Sequence, residues 1–240
     1  MNNTTGTNEE KGDVLLFLHG WGCDGTIFKG LASTFKGVRC LTPDFRGFGC
    51  NPPPDRPWTI EDYARDVADY LEQLHCGKVT VIAHSFGCRV ATVLAAEYPW
   101  YVKAMLFTGP AGFRRFSLKR WLSVTEYKFK KKLCALGILP FRCLERYGSE
   151  DYRNASPEMR STFLKVVNSD VSKYALKIKC PLLVTVGNKD EATPLWMAKR
   201  YCKLVADNIY NRGYRHAVAV FSACGVASSA MCLSNGQELF

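Results

Sequence analysis

Lys78-Val-Thr-Val-Ile-Ala-His-Ser-Phe-Gly-Cys-Arg-Val90 is the stretch on which the fold turns. Lys78-Val79-Thr80-Val81-Ile82 is a short β-branched run, the pattern of a buried strand. After it, Cys88 to Tyr98 carries Val90, Val93, Leu94 and Tyr98 at helical spacing, and Pro99 ends the helix. Between strand and helix stands Ala83-His84-Ser85-Phe86-Gly87, a serine among small residues at a sharp turn. Small neighbours let strand and helix pack closely while the serine oxygen is held out at the tip. Ala83 occupies the place where the common G-x-S-x-G pattern has glycine, and a small side chain suits it. On the pentapeptide alone, a Ser-Phe-Gly turn without chemistry is an equal reading.

The rest of the chain breaks the tie. Asp13-Val-Leu-Leu-Phe-Leu18 is another buried-strand run, feeding directly into His19-Gly20-Trp21-Gly22. Val38-Arg-Cys-Leu-Thr42 leads into Pro43-Asp44-Phe45-Arg46-Gly47-Phe48-Gly49. Pro181-Leu-Leu-Val-Thr-Val-Gly187 leads into Asn188-Lys189-Asp190, and Tyr210-Asn-Arg-Gly-Tyr-Arg-His216 follows. Four motifs in this order resemble the α/β-hydrolase superfamily from Asp13 to about His216. The resemblance implies an α/β fold: a mainly parallel sheet with helices on both faces and a helical cap inserted over the active site.

Strand-like runs alternating with helical patterns argue for the same parallel sheet. Ile27, Phe28, Leu31 and Phe35 make one amphipathic face. Thr59 can cap a helix whose first turn holds Glu61 and Asp62, with Ile60, Tyr63, Val67, Tyr70, Leu71 and Leu74 facing inward. Thr193-Pro194 starts a further helix. Between about Ala111 and Lys179 the alternation stops and the segment becomes helical and aromatic-rich. The expected organisation is a disordered lead over 1–12, a core from 13–110 and 180–240, and the cap over 111–179. Leu122, Phe129, Leu133 and Leu136 share one helical face of that cap.

The 240 residues suffice for one sizeable core, and the 47% hydrophobic content is ordinary. With a mean hydropathy of −0.12 and no apolar run near membrane-span length, no membrane partner is expected. The first ten residues lack a basic region and an apolar run, so no signal peptide is read there. Eleven scattered cysteines without a C-x-x-C pair suggest neither a disulfide framework nor a metal site. Reduced thiols in a cytoplasmic protein, with no cofactor, are the expectation.

The net charge of +10 is uneven. Arg114, Arg115, Lys119, Arg120, Lys128, Lys130, Lys131 and Lys132 crowd a stretch whose one acid is Glu126. No nucleic-acid motif accompanies them, so a nucleic-acid partner is not expected. A solvated helix face is one reading; a basic rim that steers an anionic substrate or an acidic acyl carrier is the other.

Serine oxygen is a weak nucleophile at neutral pH and needs a base, which in turn needs an acid to orient it. Of the chain's four histidines, His19 is expected to support its loop. His84, beside Ser85 on a sharp turn, is expected to point away from it, and His75 lies near a helix end. That leaves His216, which matches the late histidine in the superfamily's Ser…Asp…His order, although Arg215 precedes it where the family usually has glycine. Asp190 is the natural acid, with Glu191 the alternative and Asp207 at a helix end behind it. The backbone N–H groups of Phe86 and Trp21 are the expected oxyanion donors. Trp21, Phe86, Trp121 and Phe129 are the expected substrate-binding side chains.

A serine at the elbow excludes the branches that use aspartate there. His19-Gly-Trp-Gly22 with a helical cap resembles the esterase branch, including pimeloyl-acyl-carrier-protein methyl ester esterases. That resemblance implies a Ser-His-Asp carboxylic ester hydrolase of small to medium, partly apolar esters. A C–C bond hydrolase, an aminopeptidase and a non-catalytic small-molecule receptor on the same fold are the alternatives.

Overall fold

A computed structural model describes residues 13–114, 118–144, 147–187, 189–211, 218–223 and 231–232, with side chains at 119–121 and beyond 206 left aside. Strands β1 (Val14–Leu18), β2 (Arg39–Leu41), β3 (Val79–His84), β4 (Val102–Thr108), β5 (Leu182–Gly187), β6 (Val218–Ala223) and β7 (Met231–Cys232) form one sheet. Its order is β2-β1-β3-β4-β5-β6-β7, and every pairing is parallel except β6 with β7. The helices are α1 (Lys29–Ala32), α2 (Ile60–Gln73), α3 (Phe86–Glu97), α4 (Leu118–Ala135), α5 (Glu150–Asn154), α6 (Pro157–Asn168), α7 (Ser172–Ala175) and α8 (Leu195–Asn211).

The sheet buries both faces, which explains its continuous apolar strands. In β1, Leu16 and Leu18 point into the large core beneath α2, α3 and α8, while Phe17 points the other way onto Phe28 and Ile82. Helix α2 begins as its sequence predicts: Thr59 and Asp62 form a capping box, and Ile60, Tyr63, Val67 and Leu71 are buried. The expected helical face over Ile27–Phe35 is corrected. That segment is a 3₁₀ turn followed by the four-residue α1, and Ile27, Leu31 and Phe35 are exposed while Phe28 alone is buried.

Between β4 and β5 the chain forms α4 to α7. Helices α6 and α7 are tied to the core through polar anchors. Trp58 N–H donates to the fully buried Thr162 hydroxyl at 3.1 Å. The buried Arg89 of α3 donates to the Ser169 carbonyl at 2.8 Å, and Tyr174 O–H donates to Glu61 at 2.6 Å. Among the described residues no helix is long and apolar enough to cross a membrane.

The strand order places the site. From β1 the sheet grows toward β2 on one side and toward β3 on the other. In an open parallel sheet this reversal opens a crevice at the carboxyl ends of the two diverging strands. Those ends are Leu18, which leads into His19-Gly20-Trp21, and His84, which leads into Ser85.

Candidate active site

Ser85 joins β3 to α3 with φ 47° and ψ −105°. A serine with positive φ is strained, at a cost of about 1–3 kcal/mol, and persists only where its surroundings over-determine it. Two contacts do so. Ser85 N–H donates to the Thr108 carbonyl at 3.2 Å, locking the turn to β4. Behind it, Gly87 presses α3 so tightly on β1 that an added methyl would sit 2.2 Å from the Leu18 carbonyl oxygen. Glycine at that position is what lets the elbow form.

The loop after β1 lies against the elbow. A methyl added at Gly20 would fall 3.6 Å from Ser85 Cβ and 3.1 Å from His84 Cδ2. His19 is fully buried and holds this loop in place. Its Nε2 accepts from Phe45 N–H at 3.0 Å, so Nδ1 carries the proton and donates to the Gly20 carbonyl at 2.8 Å. Burial lowers its pKa, against smaller opposing effects of the Gly20 carbonyl, Asp44 and Asp24. His19 is therefore a neutral strut.

Trp21 stands half-buried, edge to face with Phe48, Phe86 and Phe163 at 4.8, 5.5 and 5.1 Å. Phe86 itself is 3% exposed beneath Trp21, Phe45 and Tyr63. This corrects its expected substrate-binding side chain: the ring belongs to the core, because α3 must bury that face, and only its backbone N–H is available. Phe129 is 63% exposed on α4, so its expected place in a pocket wall is corrected as well. The Trp121 side chain lies outside the described residues.

Asp190 follows β5, and its carboxylate is held by Thr193. Oδ1 accepts from Thr193 N–H at 2.7 Å and Oδ2 from the Thr193 hydroxyl at 2.6 Å. Burial pushes its pKa up, but these bonds, the Ala192 N–H and nearby His84 outweigh that and hold it below the usual carboxylate range. The carboxylate is ionised and oriented.

His84 is the residue that sequence reasoning set aside. Its ring stands at the site. Nδ1 lies 3.0 Å from the Thr108 carbonyl and 3.1 Å from the Thr108 hydroxyl, so the ring is tied to the end of β4 through that nitrogen. A methyl at Gly20 would lie 3.7 Å from His84 Nε2, and one at Gly109 would lie 3.5 Å from His84 Cε1 and 3.3 Å from Asp190 Oδ2. The ring thus sits between the elbow loop and the acid. The signal was there in the strand pattern: His84 ends β3, and the ends of parallel strands line the crevice.

His216 lies outside the described residues. The strand that begins two residues after it, β6, runs parallel to β5 and starts with Val218 beside Leu182. Asp190 follows the opposite end of β5, at Gly187.

Beside Trp21 opens a cleft of ≈ 480 Å³, whose walls include Cys23, Asp24, Phe48, Glu150, Asp151 and Met159. Its charged side chains are acidic. Burial and the neighbouring Glu150 raise the Asp151 carboxyl above its ordinary value. Among the described residues no cluster could hold a metal ion.

The fold and the elbow together define a class. A family profile for the alpha/beta hydrolase fold matches residues 13–138. The chain belongs to the α/β-hydrolase fold family. It is 28% identical over 168 residues to a serine hydrolase of Mus musculus, covering 65% of this chain and 54% of that one. To a lipase of Mycobacterium tuberculosis it is 36% identical over 97 residues, covering 40% of this chain and 37% of that one. The chain thus spans about half or less of the length of these curated relatives. Among solved structures, an esterase from Exiguobacterium antarcticum superposes with a TM-score of 0.63 at 19% identity, covering 86% of this chain and 83% of that one. The family match takes in Ser85 and the His19-Gly20-Trp21 loop and stops before Asp190 and His216.

Proposed function

We propose that this protein is a serine hydrolase of small to medium, partly apolar carboxylic esters. Ser85 is the nucleophile, Asp190 the acid and His216 the base. The observation that carries this reading is the strained elbow, which holds Ser85 at the crevice with φ 47°. As Ser85 Oγ attacks the ester carbonyl, an imidazole takes its proton. The Phe86 and Trp21 N–H groups face the developing oxyanion. The same imidazole returns the proton to the departing alcohol, and water then releases the acid by the reverse sequence. A fluorophosphonate probe should label Ser85, and Ser85→Ala should lose roughly three orders of magnitude of p-nitrophenyl butyrate turnover. Labelling elsewhere sinks the proposal. Labelling or binding without turnover favours the receptor.

The position of the His84 ring supports a second reading of the base. Here His84, whose ring lies between the Gly20 loop and Asp190, supplies the imidazole. His84→Ala and His216→Ala separate the two: loss of the true base costs the larger factor in kcat/KM. The expected anionic substrate or acyl carrier finds less support than a neutral ester, because Asp24, Glu150 and Asp151 line the cleft.

A further inference from the structure

Helix α4 turns an apolar stripe to the outside. Leu118, Leu122, Phe129 and Leu136 are 61, 53, 63 and 73% exposed, and at about 100° per residue they fall within a sector of about 40°. Leu136 continues the helix, its N–H donating to the Lys132 carbonyl at 3.1 Å. The stripe is therefore about 27 Å long at 1.5 Å per residue. Ile138 and Phe141, 64 and 68% exposed, extend it past the helix end.

The stripe is outward by construction, because α4 is anchored by its other face. Cys134 is 3% exposed and packs against Cys143 and the Pro140 carbonyl. Tyr127 meets Tyr147 at 5.5 Å between ring centroids. Lys130 folds back on that side, donating to Glu126 at 2.6 Å and to Tyr147 O–H at 3.1 Å. Glu126, the helix's one acid, is thereby paired. Lys132 and Lys128 are exposed on one flank of the stripe, about 60° and 100° round the helix from its centre, and Arg142 is exposed just beyond the helix end, whereas Lys131 stands on the opposite side. An exposed apolar ridge of this kind, broken by Thr125 alone within the stripe and edged by Lys132, marks on a folded protein a surface that another phase or partner covers.

We infer that α4 and the turn after it dock on an anionic lipid surface, with Leu118, Leu122, Phe129, Leu136, Ile138 and Phe141 reaching the acyl boundary and the lysines among the headgroups. A helix with a Leu/Phe face and a lysine-rich flank lies in the plane of such an interface. A second copy of this chain fits worse. Two stripes face to face would bring the flanking Lys128 and Lys132 of both copies toward one another, on chains that each carry +10. A convex single-helix ridge also offers no groove for a partner helix or strand. The absence of an apolar span told only against crossing a membrane, not against resting on one. This inference stands apart from the proposed hydrolase chemistry.

The test is sedimentation of the full chain with vesicles of phosphatidylcholine alone and of phosphatidylcholine mixed with phosphatidylserine, at low and high salt. Binding should be at least about tenfold tighter to the anionic vesicles and should weaken with salt. Leu122→Ser with Leu136→Ser should weaken it about tenfold or more without lowering the unfolding temperature, since both side chains already face water. Lys128→Gln with Lys132→Gln should abolish the preference for phosphatidylserine, while Lys131→Gln on the opposite side should leave it; this set stands if the serine variant fails to fold. No binding, or equal binding to both vesicles, overturns the inference. So does a dimer in analytical ultracentrifugation that the serine variant dissociates, or capture by an acidic carrier protein in place of vesicles.

Discussion

Gly87→Ala tests whether the close approach of α3 to β1 is what makes the elbow. The added methyl would meet the Leu18 carbonyl oxygen at 2.2 Å, its carbon at 2.7 Å and the His19 oxygen at 2.9 Å. All three are backbone atoms, of the last residue of β1 and the residue after it, so no side chain can rotate away. Comfortable contacts begin near about 3.5 Å; strand and helix must part by about 1 Å. Overpacking of a tight core typically costs about 1–3 kcal/mol, and a clash confined to backbone belongs at the upper end. For a chain of this size about 3 kcal/mol lowers the unfolding midpoint by roughly 6–12 °C. The displacement falls on the segment that carries Ser85 and the loop that carries Trp21, where a shift of about 1 Å is worth about a hundredfold in rate.

The assay pairs thermal unfolding with the rate of fluorophosphonate labelling, and Gly30→Ala is the control. Gly30 lies in α1 with no atom within 4 Å of the added methyl, so that variant should be as stable as the parent or slightly more stable, by about 0.4–1 kcal/mol. If Gly87→Ala unfolds within a degree or two of the parent and labels at the parent rate, the elbow does not depend on this packing and the reasoning is wrong. A large loss of stability with an unchanged labelling rate would separate the fold from the site and refute the second half alone.

Thr59→Ala removes half of the capping box that starts α2 and should cost about 0.5–2 kcal/mol in chemical denaturation; an unchanged midpoint counts against it. Asp62 accepts two bonds from Arg56 at 2.7 and 3.0 Å, and chiefly for that reason its carboxyl is held well below the usual range. A lowered folded pKa contributes stability above the unfolded value of about 3.9 and loses it as pH falls below that. Asp62→Asn should flatten the stability profile on that acid limb and leave its shape at neutral pH unchanged; parallel profiles refute the assignment. Burial pushes the Cys180 thiol up to about 11 and the Cys202 thiol up to about 12, whereas Cys50 is exposed. Iodoacetamide at about pH 8 should modify Cys50 first and Cys180 and Cys202 only on unfolding, read by peptide mass spectrometry.

Much of the fold was legible because its signals are local. A parallel strand buried on both faces writes itself as Val-Leu-Leu-Phe-Leu or Val-Thr-Val-Ile-Ala, and a capping box needs only Thr59 and Asp62 three residues apart. The segment over Ile27–Phe35 misled because its spacing is helical while its environment is water. Gly25, whose added methyl would sit 2.2 Å from the Thr42 carbonyl oxygen, fixes the loop start so that Phe28 alone reaches the core. The same holds for α4: Leu122, Phe129 and Leu136 do share a face, as their spacing says, but periodicity cannot say whether a face turns toward the core or toward a partner.

The candidate site divides along the same line. Ser85 and the turn after His19 were legible because a parallel sheet brings its strand ends together, and both motifs sit at carboxyl ends on either side of the β1/β3 reversal. The turn alone does not place the His84 ring: by the strand's alternation it shares a face of β3 with Ile82, and it reaches the Thr108 carbonyl and lies near Gly109. Order in the chain argues for His216, which lies outside the described residues, whereas the place of the His84 ring beside Gly109 and Asp190 argues for His84. Only the paired histidine variants weigh one against the other.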